Sequence, residues 1–371
     1  MIYLDYSATT PVDIRVLRYF ENVSLTYIGN ANSIHSLGKD SARVINNCSK
    51  KISSILKLDN QEIIYTSGAT ESNNLAIKGV LLKYANQSKQ IITTYYEHSS
   101  VVASINYMRN LGFKVLIVNC NEKGVVDLEN LKKIINNDTI LVSIGSVNSE
   151  IGIRQPINAI NDIVKQYKNC VFHCDMTQSI GKERIDLSKI DLISFSAHKF
   201  YGIKGIGALI KKNDLQLEPQ IHGGKSTTIY RSGTPSLPLI LSMGKALELI
   251  YKNFDKKYDH VSKINHYLRD EFGKMPEVII NSSSDCLPHI LNISIPSLYS
   301  KKMVKELAKN DIYISNHTAC SSDASKSLAV YALTNNLKLA RSSIRISLSY
   351  LTTKKEIDFL VKQMKRMLKN D

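Results

Sequence analysis

A single lysine lies where its amine could form a covalent bond with a cofactor. Lys199 follows an apolar run at 190–195, which predicts a buried strand, in the stretch SFSAHKFYGIKGIGAL. The glycines after it, Gly202, Gly205 and Gly207, let the backbone approach a bulky group closely. An aldehyde that carries a phosphate would suit this place. The alternative is that Lys199 is one of many surface lysines, and this stretch alone leaves both interpretations open.

A turn rich in small and hydroxyl side chains, TSGATESNN at 66–74, precedes a helical pattern. The free backbone N–H groups and the positive dipole at the start of a helix bind anions such as phosphate. A Ser or Thr cap followed by an acidic residue is also ordinary at the start of a helix. The turn directly follows the predicted strand at 62–65, and this position, rather than its composition, makes it a candidate phosphate site.

A carboxylate and an amide follow a later apolar run, in HCDMTQS. Asp175 could hold a protonated pyridine nitrogen and Gln178 could donate to a ring oxygen, although Asp175 could instead cap a helix. A lysine that binds an aldehyde and a carboxylate that holds a pyridinium are the two requirements of pyridoxal phosphate chemistry. Lys199 and Asp175 together therefore indicate that cofactor.

Short apolar runs that alternate with helical patterns must position these side chains. The predicted strands are 62–65, 90–94, 113–118, 139–144, 171–175, 190–196 and 206–210, and the helical patterns between them include 71–84, 99–110 and 157–167. This alternation predicts an α/β domain around a mainly parallel sheet, with ligands at the strand ends.

The pattern changes after a predicted helix at 237–251. The lysine-rich segment 252–258 is interpreted as a hinge. A smaller α+β unit is expected beyond it, with strands at 289–295 and 343–348, a helix at 301–309, a polar loop around Cys320 and a final helix. We expect a large domain at 12–255 and a small domain formed by 1–11 and 256–371, which carries the Cys320 loop.

The composition narrows the class of protein. The 371 residues carry a formal charge of +15, but the lysines are spread without a dense basic run, which favours solvated faces over direct nucleic-acid binding. Six scattered cysteines indicate reduced thiols, and no apolar run approaches the roughly 18 residues of a membrane span. Cys170, His173 and Cys174 alternate along one predicted strand, so no metal site is expected there. These features predict a cytoplasmic protein.

The motifs together make the chain similar to cysteine desulfurases of the NifS/IscS type. They run through nearly the whole length in the order LDYSATTP, GNANSIHSLG, TSGATESNNLAIKG, YEHSSV, SVNSEIG, HCDMTQSIGK, SFSAHKFYGIKGIGAL, IHGG, YRSGT, TACSS and SSIRISLS. The resemblance implies the fold of the class-V aminotransferases, which is fold type I of the pyridoxal-phosphate-dependent enzymes. That fold has a large domain with a mainly parallel seven-stranded sheet and a smaller α+β domain. Pyridoxal 5'-phosphate is the implied cofactor and L-cysteine the implied substrate.

The resemblance also implies roles for single residues. Lys199 would bond to the cofactor aldehyde, Asp175 would hold the pyridine nitrogen, and Gln178 the phenolic oxygen. His98 would stack on the ring as a catalytic residue. The other implied cofactor contacts are those of Ala69, Thr70, Ser196 and His198 with the phosphate, of Thr234 from the partner subunit, and of Asn148, which would also touch the substrate.

Two residues would act on the substrate itself. Arg345 lies in the apolar strand SIRISL, where a buried guanidinium needs an anion. That anion is a structural carboxylate or, as the resemblance implies, the substrate carboxylate. Cys320 lies in SNHTACSSDAS and matches the nucleophile of the family. An ordinary thiol is mostly protonated at neutral pH, so a proton acceptor or the cofactor must help it react.

The implied reaction produces L-alanine and a persulfide on Cys320, which passes its sulfur to an iron–sulfur scaffold or a tRNA-thiolating enzyme. A homodimer is implied because Thr234 would reach the cofactor of the partner. The alternatives are a selenocysteine lyase, another class-V aminotransferase-like enzyme, or a divergent sulfur-transfer scaffold. Two departures from the family pattern bear on them: KSTTIY before RSGT, and His317 three residues before Cys320.

Overall fold

The computed structural model describes residues 1–86, 89–316 and 326–369. The strands in these residues are β1 (Ile2–Tyr3), β2 (Gln61–Thr66), β3 (Gln90–Thr93), β4 (Lys114–Ile117), β5 (Thr139–Ser143), β6 (Val171–Asp175), β7 (Leu192–Ser196), β8 (Gly207–Lys212), β9 (Ile279–Ile280), β10 (Ile290–Ser294), β11 (Ile312–Tyr313) and β12 (Ser343–Ser347). The helices are α1 (Ile14–Thr26), α2 (Ser36–Leu56), α3 (Ala69–Lys83), α4 (Ser99–Asn110), α5 (Leu128–Ile134), α6 (Ile157–Val164), α7 (Leu237–Tyr251), α8 (Phe254–Gly273), α9 (Ser300–Ala308), α10 (Leu328–Thr334), α11 (Leu337–Ser342) and α12 (Lys354–Lys369).

The largest sheet in these residues has seven strands in the order β2-β8-β7-β6-β5-β3-β4. Its strands pair in parallel except for β8, which is antiparallel to both of its neighbours, β2 and β7. The predicted mainly parallel, seven-stranded sheet is confirmed. Because β2, β3, β5, β6 and β7 run in one direction, the segments that follow them emerge at the same edge.

Both faces of this sheet are covered by helices. Leu141 and Leu192 face a core shared with α3 and α4, whereas their neighbours Val142 and Ile193 face a core shared with α6 and α7. Successive side chains point to opposite faces of a strand, so continuous apolar runs are what a doubly covered sheet requires. This is why the strands could be recognised as apolar runs in the sequence.

A second apolar core lies around a smaller antiparallel sheet of order β12-β10-β9. Helices α8 and α12 contribute Val261, Leu268 and Leu360 to it. Strand β1 pairs in parallel with β11, so the start of the chain joins this smaller unit. The proposed boundaries at residues 11 and 255 stay a prediction. Within the described ranges, every helix is too short or too polar to cross a membrane.

The predicted hinge at 252–258 is wrong in its extent. Helix α7 ends at Tyr251 as predicted, but α8 already begins at Phe254. Only Lys252 and Asn253 connect the two helices, with Asn253 in the left-handed region at φ 56°. Lys256 and Lys257 belong to α8, which also buries Phe254, and an amphipathic helix accommodates lysines beside a buried aromatic residue.

Candidate active site

A cavity of about 300 Å³ lies at the edge of the large sheet where β2, β5, β6 and β7 end. The predicted site residues that line it are Ala69, Thr70, His98, Asn148, Asp175, Gln178, Ser196, His198, Lys199 and Arg345. The fold therefore brings together side chains that are separated by up to 276 positions in the sequence.

Lys199 reaches the cavity from a single 3-10 turn, Ala197–Lys199, directly after β7. Its Nζ donates to the backbone carbonyls of Ser7 at 2.7 Å and Ala8 at 2.8 Å. The N-terminal segment is held there because the hydroxyl of Thr10 donates to the carbonyl of His198 at 2.9 Å. The amine is thus aimed by two carbonyl oxygens rather than exposed to solvent.

Asp175 is the last residue of β6, and both of its carboxylate oxygens are held. Oδ1 accepts from the N–H of Thr177 at 3.0 Å, and Oδ2 accepts from Nδ2 of Asn73 at 2.7 Å. Asn73 is fully buried on α3 and also donates to Oγ of Ser100 at 2.9 Å. In the described chain Asp175 caps no helix, which leaves the cavity-facing role as the better interpretation.

Gln178 lies one turn beyond Asp175, and both ends of its amide have partners. Nε2 donates to the carbonyl of Ser7 at 3.0 Å, and Oε1 accepts from Nζ of Lys182 at 2.8 Å. Since an amide nitrogen carries two hydrogens, one N–H of Gln178 remains for a ligand.

His98 is the cap residue of α4, and its Nδ1 accepts from the N–H of Ser100 at 3.2 Å. Burial lowers the pKa of His98, so the imidazole is neutral at neutral pH. The preceding residue, Glu97, accepts from the hydroxyl of Thr94 at 2.7 Å and the N–H of Gly145 at 2.8 Å. Burial raises the pKa of Glu97 to about 7.

The start of α3 forms the opposite end of the cavity. Ala69 N–H, at the first turn, donates to Oγ of Ser196 at 2.6 Å. Gly207 of β8 passes so close that a Cβ there would lie 2.7 Å from Cα of Gly68 and 2.5 Å from the carbonyl oxygen of Phe195. Only glycine fits this approach, which brings helix N–H groups and a serine hydroxyl together as an anion site would require.

His198 lines the same cavity. Burial, followed by the positive charges of Lys199 and Lys204, lowers the pKa of His198 to about 4. Its imidazole is therefore neutral at neutral pH and offers a hydrogen bond rather than a charge to an anion.

Arg345 lies on β12 and is almost completely buried. Its Nη2 donates to Oδ1 of Asp5 at 2.8 Å and its Nη1 to the carbonyl of Ser149 at 2.8 Å, whereas its buried Nε has no partner in the part of the chain that the structure describes. A structural carboxylate is therefore one partner of this guanidinium. Three of its five N–H groups remain after these two bonds, so binding of a substrate carboxylate stays a prediction.

Asn148 stabilises the turn after β5 on one side of the cavity. Its Oδ1 accepts from the N–H groups of Glu150 and Ile151, and its Nδ2 donates to the carbonyl of Tyr96. These bonds hold the backbone of the cavity wall in place. The predicted contact of Asn148 with cofactor and substrate stays a prediction.

Thr234 is exposed and does not line the cavity of its own chain. Its predicted contact with the cofactor of a partner subunit stays a prediction. Cys320 and His317 lie outside the described residues.

His173, from the C-x-x-H-C sequence, is a satisfied core histidine. Its Nδ1 and Nε2 are hydrogen-bonded to the hydroxyls of Ser143 at 2.8 Å and Ser194 at 3.0 Å. Across residues 1–86, 89–316 and 326–369, no group of three His, Cys, Asp or Glu side chains is arranged to hold a metal ion.

Several residues that shape the site were not identified from the sequence: Asp5, Ser7, Ala8, Asn73, Glu97 and Lys182. All six lie inside motifs that carried the resemblance, and Asn73 follows Ala69 at the i,i+4 spacing of one helix face. The contacts of Ser7 and Ala8 use backbone carbonyls, which every residue has, so residue types gave no signal for them.

The cavity fits pyridoxal phosphate in its donor set. It offers a lysine amine for the aldehyde, the Asp175 carboxylate for the pyridine nitrogen, and the start of α3 for the phosphate. Three buried polar atoms on its lining residues, Oγ of Ser7, Oγ1 of Thr177 and Nε of Arg345, have no hydrogen-bond partner among the described residues. Buried polar atoms are usually satisfied, so these atoms point to a polar ligand.

Comparison with known proteins places this site in a family. A family model described as Aminotransferase class-V matches residues 2–360. The chain belongs to the class-V aminotransferase family. Members of this family are pyridoxal-phosphate-dependent, as the sequence predicted.

Relatives within the class-V aminotransferase family include proteins named cysteine desulfurase IscS. Those of Buchnera aphidicola subsp. Acyrthosiphon pisum (strain 5A) and Vibrio cholerae (strain O395) are each 41% identical over 97% of this chain and 91% of their own length. A solved structure titled NifS-like protein is 32% identical, has a TM-score of 0.94 and covers 100% of both chains. The predicted resemblance and fold are confirmed.

Proposed function

We infer that the protein is a cysteine desulfurase, which converts L-cysteine to L-alanine and transfers the sulfur to a thiol of the enzyme. The observation that carries this inference is the convergence of Lys199, Asp175, Gln178 and Arg345 on one cavity. The 41% identity with relatives of that name supports the choice of reaction.

Lys199, Asp175 and His98 would act on the cofactor and on the Cα atom of the substrate. Pyridoxal phosphate, when bound, supplies an aldehyde for the substrate amine and a ring that takes up electrons from Cα. Lys199 would hold the cofactor and then, once its amine is free, remove the Cα proton. Asp175 would keep the ring nitrogen protonated, and the neutral imidazole of His98 would lie against the ring face.

Arg345 and Cys320 would act on the other parts of the substrate. The free N–H groups of Arg345 would bind the carboxylate and orient the Cα–H bond towards Lys199. The Cys320 thiolate would attack the substrate sulfur, so that an S–S bond forms while the Cβ–S bond breaks. The products are a persulfide on Cys320 and, after protonation of carbon, L-alanine.

The proposal also covers the sulfur acceptor, the oligomeric state and the cellular compartment of the protein. We propose transfer of the persulfide sulfur to a protein acceptor that serves iron–sulfur cluster biogenesis or tRNA thiolation. A homodimer is supported by exposed Thr234, which matches a residue that the family places across the subunit boundary. A reducing cytoplasm agrees with the free thiols of Cys48, Cys120, Cys170, Cys174 and Cys286.

The test is to supply purified, cofactor-loaded protein with L-cysteine and a thiol reductant and to quantify alanine and sulfide together. We expect equal yields from the wild type. The Cys320→Ala variant should bind the cofactor and the substrate but release neither product.

Two results would count against the proposal. Alanine formation by Cys320→Ala at the wild-type rate would remove Cys320 from the mechanism. A cofactor spectrum without alanine from L-cysteine, but with turnover of selenocysteine or another amino acid, would favour the alternative enzymes on this fold.

A further inference from the structure

Lys182 is a buried lysine for which the reaction above has no step. Only 7% of it is exposed, and within the described part of the chain it forms no ion pair with a carboxylate. Burial lowers the pKa of its amine well below the ordinary value, and the charges of Lys199 and Arg345 lower that pKa further. Proteins rarely bury a lysine without an anion partner, so its position needs an explanation.

The explanation lies in the acceptor that its amine contacts, the side-chain oxygen of Gln178. Lys182 Nζ donates to Oε1 of Gln178 at 2.8 Å. Gln178 in turn donates to the carbonyl of Ser7 at 3.0 Å, and the same carbonyl accepts from Nζ of Lys199 at 2.7 Å. These groups form a continuous chain of hydrogen bonds from Lys182 to the cofactor-binding lysine.

The two ends of the Gln178 amide are distinguished by their partners. A rotation of the amide by 180° would bring its NH₂ group against the Lys182 amine and its oxygen against the carbonyl of Ser7. The contact with Ser7 would then be unfavourable because acceptor would face acceptor, and the contact with a Lys182 ammonium would be unfavourable because donor would face donor. Lys182 and Ser7 therefore fix the amide with its nitrogen on the side of Lys199.

We propose that Lys182 is a positioning residue, which orients Gln178 so that one amide N–H faces the phenolic oxygen of bound pyridoxal phosphate. This inference rests on the proposed function, since it assumes that cofactor. The carbonyl of Ser7 enforces this orientation in either charge state of Lys182, and the ammonium form adds to it because it carries donors and no acceptor.

The surroundings of Lys182 limit it to an indirect role. It does not line the main cavity, so it acts through Gln178. It borders a second cavity of about 20 Å³, together with Lys199 and His289. Among the described residues, the charged or titratable groups that interact with Lys182 include Lys199, Arg345, His198 and His289, none of them an anion.

The test is a double-mutant cycle on the full chain with pyridoxal phosphate as the probe. Four apoproteins are titrated with pyridoxal phosphate: the wild type, Lys182→Met, Gln178→Ala and the double variant. For each one, the dissociation constant of the cofactor and the visible absorption maximum of the complex are measured. We expect Lys182→Met to weaken binding about tenfold, the size of one well-placed hydrogen bond. In the Gln178→Ala background the same substitution should change neither quantity.

Lys211 supplies a matched control. It is 1% exposed, and its amine contacts Glu62 and the carbonyls of Lys212 and Asn213 rather than residues of the cavity. Lys211→Met should bind the cofactor with wild-type affinity even if it lowers stability. If Lys182→Met does not fold, Lys182→Leu, which also lacks a donor, takes its place in the same cycle.

The outcomes distinguish failure of the positioning role from failure of the proposed function. Equal losses in both backgrounds, or no loss in either, would overturn the positioning role while the wild type still bound cofactor and produced alanine. Failure of the wild type to bind pyridoxal phosphate would overturn the proposed function and this inference together.

Discussion

The guanidinium of Arg345 donates from Nη2 to the carboxylate of Asp5 at 2.8 Å, across 340 positions of the chain. The contact joins β12 to the segment that follows β1, and its Arg345 side chain is 2% exposed. Because a fixed guanidinium keeps its remaining N–H groups in one direction, we expect the contact with Asp5 to orient Arg345 for a second anion.

Replacing Arg345 by lysine should therefore weaken substrate binding more than catalysis. An ammonium group lacks the planar fork that can bond to Asp5 and to a substrate carboxylate together. We expect the KM for L-cysteine to rise about 10- to 100-fold, corresponding to a charge-assisted hydrogen bond, with a smaller change in kcat. Steady-state alanine formation measures both. The exposed Arg341, four residues earlier, provides the control Arg341→Lys; an unchanged KM in Arg345→Lys would contradict the assignment.

Asn73 should be needed for tight cofactor binding although it does not line the cavity. Its Nδ2 holds Oδ2 of Asp175 at 2.7 Å, so Asn73→Ala would leave that carboxylate free to turn. We expect cofactor affinity to fall by about tenfold, measured by absorbance titration of apoprotein. Asn74→Ala is the control, because Asn74 is partly exposed and donates only to the carbonyl of Thr70. Equal affinities of the two variants would show that Asp175 does not depend on Asn73.

The sequence predicted the strands and their ends well because these signals are local. Each strand of the large sheet contains a short apolar run; Asp175 is the last residue of β6, and Lys199 comes three residues after the end of β7. In contrast, β1, β9 and β11 are two residues long, which is too short for any periodicity to be recognised.

Contacts between distant segments could not be predicted from residue types. The carbonyl of Ser7 accepts from Lys199 across 192 positions, and any residue has a carbonyl to offer. Lys182 was indistinguishable from a surface lysine until the fold buried it beside Gln178. The composition of a segment describes its own preferences, whereas these contacts depend on where the fold brings another segment.

Gly207 should be among the least replaceable glycines near the site. A Cβ at this position would collide with backbone on two sides, at Phe195 and Gly68, and backbone in a sheet yields less than a side chain. We expect Gly207→Ala to lower the free energy of unfolding by about 1 to 3 kcal/mol and to weaken cofactor binding. Urea denaturation of apoprotein measures the first effect. Gly273→Ala, where a Cβ would meet nothing within 4 Å, should leave stability almost unchanged.

Glu97 should make the stability of the apoprotein dependent on pH. Burial raises the pKa of its carboxyl group from the usual 4.5 to about 7, so the folded chain binds this proton more tightly than the unfolded chain. The stabilisation that this proton provides is complete below the unfolded pKa and is lost as the pH rises through the folded one.

Glu97→Gln mimics the protonated carboxyl group, since Oε1 can accept from the N–H of Gly145 while Nε2 donates to the hydroxyl of Thr94. The wild type should therefore lose up to about 3 kcal/mol of unfolding free energy relative to Glu97→Gln as the pH rises from 5 to 8. Urea denaturation of both apoproteins at several pH values measures the difference, with the exposed Glu122→Gln as control. Parallel pH profiles of the wild type and Glu97→Gln would mean that Glu97 is already ionised in the folded protein at pH 5.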